Sequence, residues 1–337
     1  MARVNACSLV VVLLLSCYVV SGAAEAAAFE FDVVDFGARP DGRTDSSAAF
    51  AGAWSAACRS PSPATVHVPR GEFLLGHASF AGPCSSRVAL RIDGTLVAPP
   101  GYTGRGGSDR WIVFDHVDGL AVSGGTVDGR GAALWACKAA GRGGCPSGAT
   151  SLTVMNSRDV VISGLRSVDS ELYHVVIDGC EGVAVRDVRI VAPASSPNTD
   201  GIHVQASTGV TVTRASIQTG DDCVSVGPGT ANLRVEHVSC GPGHGISIGS
   251  LGKGSEEAGV ENVTSSAVKI SDVRYTDIQG SSASQVAVKF DCSASNPCSG
   301  IGLQDIKLTL DGGRPAEATC QHADGRASGY VEPPSCL

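Results

Sequence analysis

Three ionisable residues recur at a single stride. Asp200, Asp222 and His244 are 22 residues apart (222−200 and 244−222). Each stands two residues ahead of a short aliphatic pattern: Ile202-His203-Val204, Val224-Ser225-Val226 and Ile246-Ser247-Ile248. Asp221 adds a third carboxylate beside the second. If one stride is one coil of a stacked structure, the side chains form a row with neighbours about 4.8 Å apart. Crowded carboxylates repel, which raises at least one pKa and provides a proton donor. One protonated and one ionised carboxyl are the equipment of glycoside hydrolysis, and inverting enzymes hold them about 6.5–9.5 Å apart to admit a water. Two strand spacings reach that range. An Asp beside Gly is ordinarily a turn residue; the coincidence at one coil position argues for more.

Strict alternation would turn Asp200, Asp222 and His244 inward with Ile202, Val224 and Ile246, where bare carboxylates are very costly. The surrounding segments are turns, however: Asn198-Thr199-Asp200-Gly201, Gly220-Asp221-Asp222-Cys223 and Gly241-Pro242-Gly243-His244-Gly245. Glycine permits backbone dihedrals that re-aim a side chain.

The elements that must position this row also repeat. Val183-Ala184-Val185, Val210-Thr211-Val212 and Leu233-Arg234-Val235 begin similar segments at steps of 27 and 23, and Val175-Val176-Ile177 precedes Ile202 by 27. Such periods identify a solenoid, and strand-rich units without intervening helices select an all-β, right-handed parallel β-helix. One coil cannot bury its own inward Val and Ile; stacked coils can. A β-sandwich would need a regular series of short hairpin turns, which is not seen. Residues 44–58 are the exception, predicting a short Ala-rich helix capped by Thr44 or Asp45 and carrying Phe50 and Trp54. That helix would plug the first open sheet edge.

The ends and the cysteines point to export. Arg3, the apolar run Ser8 to Val20 and Ala26-Ala27-Ala28 resemble a secretory signal over residues 1–28. No later apolar run is long enough to span a membrane, so the mature form is expected to be soluble. Of 13 cysteines, Cys7 and Cys17 would leave with the signal. Close pairs suggest bridges Cys58–Cys84, Cys137–Cys145, Cys223–Cys240, Cys292–Cys298 and Cys320–Cys336, leaving Cys180 as a buried thiol. No zinc-ligand spacing is present, and no metal or cofactor is expected. A formal net charge of −8 argues against nucleic acid as a partner. Asn262-Val263-Thr264 is a sequon that fits a glycosylated surface site.

Asn198-Thr199-Asp200, Gly220-Asp221-Asp222 and Gly243-His244-Gly245 resemble three of the four signature motifs of the polygalacturonases, glycoside hydrolases built as right-handed parallel β-helices. Phe36-Gly37-Ala38, Asp41-Gly42 and Thr44-Asp45 are similar to the family's N-terminal segment, and Gly241 to Leu251 and Ala287 to Cys292 resemble plant members. The resemblance implies a secreted, monomeric, extracellular or cell-wall enzyme. It would cleave α-1,4-galacturonosyl links of pectin or polygalacturonate with inversion. By position, Asp221 would be the general acid, Asp200 and Asp222 would activate water, and His244 would tune the acid. Asn198 would support the sugar, and the Cys223–Cys240 bridge would fix the catalytic turns. Endo and exo action stay open.

The fourth motif, Arg-Ile-Lys, is missing. No Arg-x-Lys tripeptide occurs, and the sequence passes from Glu261-Asn262-Val263-Thr264 directly into a segment resembling a later part of the family. The expectation is one catalytic domain over 29–337, with an N-terminal cap at 29–60 and about two coils deleted near 264–265. Without the cationic clamp on the substrate carboxylate, activity should fall. If the coil reseals, Val286-Ala287-Val288 becomes the strand after Ile246-Ser247-Ile248, and Lys289 takes the place of the family's Lys in binding substrate. A catalytically weak pectin-binding protein is the alternative; a calcium-dependent pectate lyase is disfavoured by the hydrolase motifs.

Overall fold

The computed structural model describes residues 29–101, 109–141, 143–249, 251, 258–266, 269–270, 274–276, 279–282, 285–292, 294, 297–310 and 313–337. The expected leader lies outside them. The chain winds as a right-handed parallel β-helix with three walls. Among the described residues the first wall has nine strands, from Phe29–Asp32 to Glu261–Ser266, and the second has nine, from Asp41–Asp45 to Lys269–Ile270. The third has seven, from Ala78–Ala81 to Ile246–Ile248. Every described pairing is parallel, each strand bonding to its copy one coil away.

The register stacks like on like. Val66, Leu90, Val122, Ile162, Val185, Val212 and Val235 form one buried file in the first wall. Phe80, Phe114, Val154, Ile177, Val204 and Val226 form another in the third. Each fully buried aliphatic side chain is worth ~1.5–3 kcal/mol, so the core is an additive column. The third-wall file ends at Ile248, which is 52% exposed.

Helix α1, Ser47–Cys58, closes the N-terminal end as expected. Phe50 packs on Phe73, Trp54 on Phe80 and Phe114, and the Trp54 indole donates to the Ala81 carbonyl at 3.1 Å. Two details differ. Thr44 and Asp45 belong to a second-wall strand, and Ser46 is the N-cap residue. Asp45 still accepts from the Ser47 amide and hydroxyl, so it caps from one residue further out. A second helix, α2 (Ala132–Ala139), was not anticipated; Leu134 and Trp135 bury it, and the Cys137–Cys145 bridge ties its end. All five expected bridges form, and Cys180 is free and buried.

The rearranged third wall fails. The strand Val286–Asp291 pairs with Glu317–Gln321, not with Ile246–Ile248. Lys289 is exposed and pairs with Asp291 at 3.0 Å. Two bridges flank this pairing: Cys292–Cys298 ties the strand's end to Cys298–Leu310, and Cys320–Cys336 ties its partner to the tail.

Candidate active site

The turn leading into the third wall carries the row. Inward parity shifts there: Cys223 and Val224 are both buried, as are Gly201 with Ile202 and His174 with Val175. Two consecutive inward positions return the preceding residue to the outer face, which resolves the conflict with simple alternation. Gly201 donates to the Asp222 carbonyl and His174 to the Asp200 carbonyl, both at 2.8 Å, stacking the turns directly.

Close approach fixes these turns. A Cβ at Gly220 would lie 2.0 Å from the Ser196 carbonyl oxygen, and one at Gly201 would lie 2.5 Å from that of Cys223. The buried Thr199 hydroxyl meets those of Ser196 and Thr219 at 2.7 Å and accepts from the Gly220 amide at 3.1 Å. The Cys223–Cys240 bridge pins the second turn beneath the third. Asn198 is exposed with φ 54, a left-handed conformation that Asn tolerates, and its amide reaches Asp221.

His244 Nδ1 lies 3.3 Å from Asp221 Oδ1, and the Asp222 amide donates to that carboxylate at 2.8 Å. Donor atoms of Asp221, Asp222 and His244 lie within 4.8 Å of one another, a spacing that would also suit a divalent cation. Asp200 is 6% exposed, whereas Asp221 and Asp222 are half-buried. Burial, opposed by a Ser225 hydrogen bond and reinforced by the charges of Asp221 and Asp222, pushes Asp200 up to about 7. Burial also raises Asp222, opposed by the Ser247 hydroxyl that bonds it. Burial acts upward on Asp221 too, but the His244 hydrogen bond and the neighbouring amides outweigh it and leave the group below its ordinary value. The Asp221 hydrogen bond raises His244. The free site thus sets an Asp221 that favours its ionised form against a His244 that favours its cationic form, while Asp200 keeps its proton up to about pH 7. The site holds both an acid and a base.

The pattern of glycosyl hydrolases family 28 matches residues 58–267 and 261–329. The chain belongs to this family. Family 28 membership makes it a glycosidase. It is 46% identical to a polygalacturonase of Prunus persica, over 91% of this chain and 93% of the relative. It is 34% identical to an exopolygalacturonase of Platanus acerifolia, over 90% and 96%. Among solved structures, an exopolygalacturonase from Thermotoga maritima shares the fold, with TM-score 0.61 at 19% identity over 85% of this chain and 77% of that one.

Of the six expected site residues, Asp200, Asp221, Asp222 and His244 come together, with Asn198 at their rim; Lys289 does not join them in any described contact. Sequence reasoning missed Tyr173, His203, Ser225 and Ser247. Tyr173 stands two residues before Val175, the coil position of Asp200, so extending the stride one coil backward finds it. Its phenol feels all three carboxylates, and its ring stacks on His203 at 5.1 Å. His203, Ser225 and Ser247 are aligned in register as outward residues of the three strands. His203 Nδ1 lies 2.8 Å from the Ser225 hydroxyl.

Proposed function

We propose that this family 28 chain is a secreted cell-wall hydrolase that cleaves α-1,4-galacturonosyl links of pectin with inversion. The observation that carries the reading is the gathering of Asp200, Asp221, Asp222 and His244 at one end of an outward-facing row. Asp221 serves as general acid. A bound sugar excludes water from Asp221, which raises its pKa and moves a proton onto it from the cluster's shared pool. Asp200 and Asp222 then take the proton of the attacking water, and Asp221 protonates the leaving oxygen. The transfer leaves Asp221 ionised and the water's proton on the Asp200–Asp222 pair, which restores the resting arrangement, and the His244 hydrogen bond favours the ionised form of Asp221. Asn198 supports the sugar next to the broken bond.

Turnover is low, because the family's cationic clamp is absent and Lys289 is engaged elsewhere. The shortening has independent support. The alignment with the Prunus persica relative spans 367 positions, while 91% of 337 residues is about 307, so about 60 positions of the relative have no counterpart here. The two family matches meet at 261–267, the expected junction. Among the described residues the third wall ends one strand earlier than the other two, at exposed Ile248. The same observations favour, as second reading, a pectin-binding protein with negligible turnover. Reducing-end release from pectin by this chain, lost in Asp221→Asn, separates the two. Ultraviolet-absorbing unsaturated products would instead indicate elimination.

A further inference from the structure

A trough of about 300 Å³ continues the catalytic row toward the N-terminus of the β-helix. Tyr173 and His203 form its near wall, and Ser225 bonds both His203 and Asp200, so trough and cluster are contiguous. At its far side Arg110 pairs in register with Thr150, the coil position of Tyr173 and Asp200. From Asp200 to Arg110 is three strand spacings, roughly 14 Å, which is room for more than one sugar.

Charge decides which sugar. Arg110 is the one basic side chain lining the trough apart from His203, among the described residues. Its Nε stands 4.0 Å from Asp109, and its Nη1 donates to Met155 Sδ at 3.3 Å. Asp178 also lines the trough and has no cation within ion-pair distance among the described residues. Burial lowers the pKa of His203, which disfavours a compensating charge there. Among the described lining residues one guanidinium therefore accompanies two carboxylates, next to Asp200, Asp221 and Asp222. A free uronate entering here meets like charge, whereas a methyl ester does not. The ester methyl would also find apolar partners, since Leu172, Val176 and Pro228 line the same trough.

We infer that this trough binds methyl-esterified galacturonosyl units in preference to free galacturonate. The inference rests on the pectin-hydrolase reading for its sugar and goes beyond it in naming the ester. The test is calorimetric binding to the full chain carrying Asp221→Asn, which abolishes turnover. The ligands are oligogalacturonates of equal length, either fully methyl-esterified or fully de-esterified. The esterified ligand should bind on the order of tenfold more tightly at low salt, the effect of one added like charge, and the gap should narrow as salt rises. Asp178→Asn should shrink the gap about threefold, the value of a partly screened charge, and Arg110→Gln should widen it. Equal or tighter binding of the de-esterified ligand, a gap indifferent to Asp178→Asn, or no binding of either ligand would each overturn the inference. Hydrolysis is judged separately by reducing-end release, so loss of one result leaves the other standing.

Discussion

Replacing Asp200 with Asn should change stability in a pH-dependent way. Asp200 is almost fully buried and its pKa is raised from 3.8 to about 7. In the unfolded chain the carboxyl loses its proton near the ordinary value; in the folded chain it keeps it until about pH 7. Its stabilising contribution is therefore complete below about pH 4 and is lost as pH rises through about 7. The shift is about three pKa units, equivalent to at most ~4 kcal/mol. Asn matches the protonated acid in size, still accepts from Ser225, and does not titrate. Urea unfolding followed by tryptophan fluorescence should find the variant level with the parent at about pH 4. At about pH 8 the variant should be more stable by about 2–4 kcal/mol. Carbon NMR of the parent should show one aspartate carboxyl titrating near 7 that vanishes in the variant. Stability curves that run parallel from acid to base, or an Asp200 carboxyl titrating near 4, would refute the reasoning.

Three further outcomes follow from the same geometry. His244→Gln removes the cation that holds Asp221 down, so the lower limb of the pH–rate profile should move to higher pH and peak turnover should fall by about 10²-fold or more; an unmoved limb would detach His244 from Asp221. Gly220→Ala places a methyl against the Ser196 carbonyl, and should cost about 1–3 kcal/mol of stability together with most activity; a variant of parental stability would show that the turn has slack. Chelation with EDTA should leave turnover unchanged, because the carboxylates act through protons; loss of activity restored by a divalent cation would reassign Asp221, Asp222 and His244 as ligands.

The β-helix was legible because a solenoid writes its coil length into the sequence. The strides of 22 and 27 that link Val175, Ile202, Val224 and Ile246 are the register of the third wall. The row of acids was legible for the same reason. What stayed hidden was set by three-dimensional packing. Alternation placed Asp222 inside, and only the doubled inward step at Cys223 and Val224 brings it out. Helix α2 is eight residues whose Leu134 and Trp135 find burial no local pattern announces. Lys289 does lie on a strand, but that strand pairs with Glu317–Gln321, a partner that no stride in the sequence announces. The proton on Asp200 reflects burial, which spacing does not reveal.

The central claim is that this row of carboxylates hydrolyses a galacturonosyl link by direct attack of water. Proton NMR of the first products released from an oligogalacturonate tests it most directly. The account predicts that the new reducing end appears first as the β-anomer and only later equilibrates, with no product from Asp221→Asn. Initial α-anomer, or product formed equally by Asp221→Asn, would contradict it.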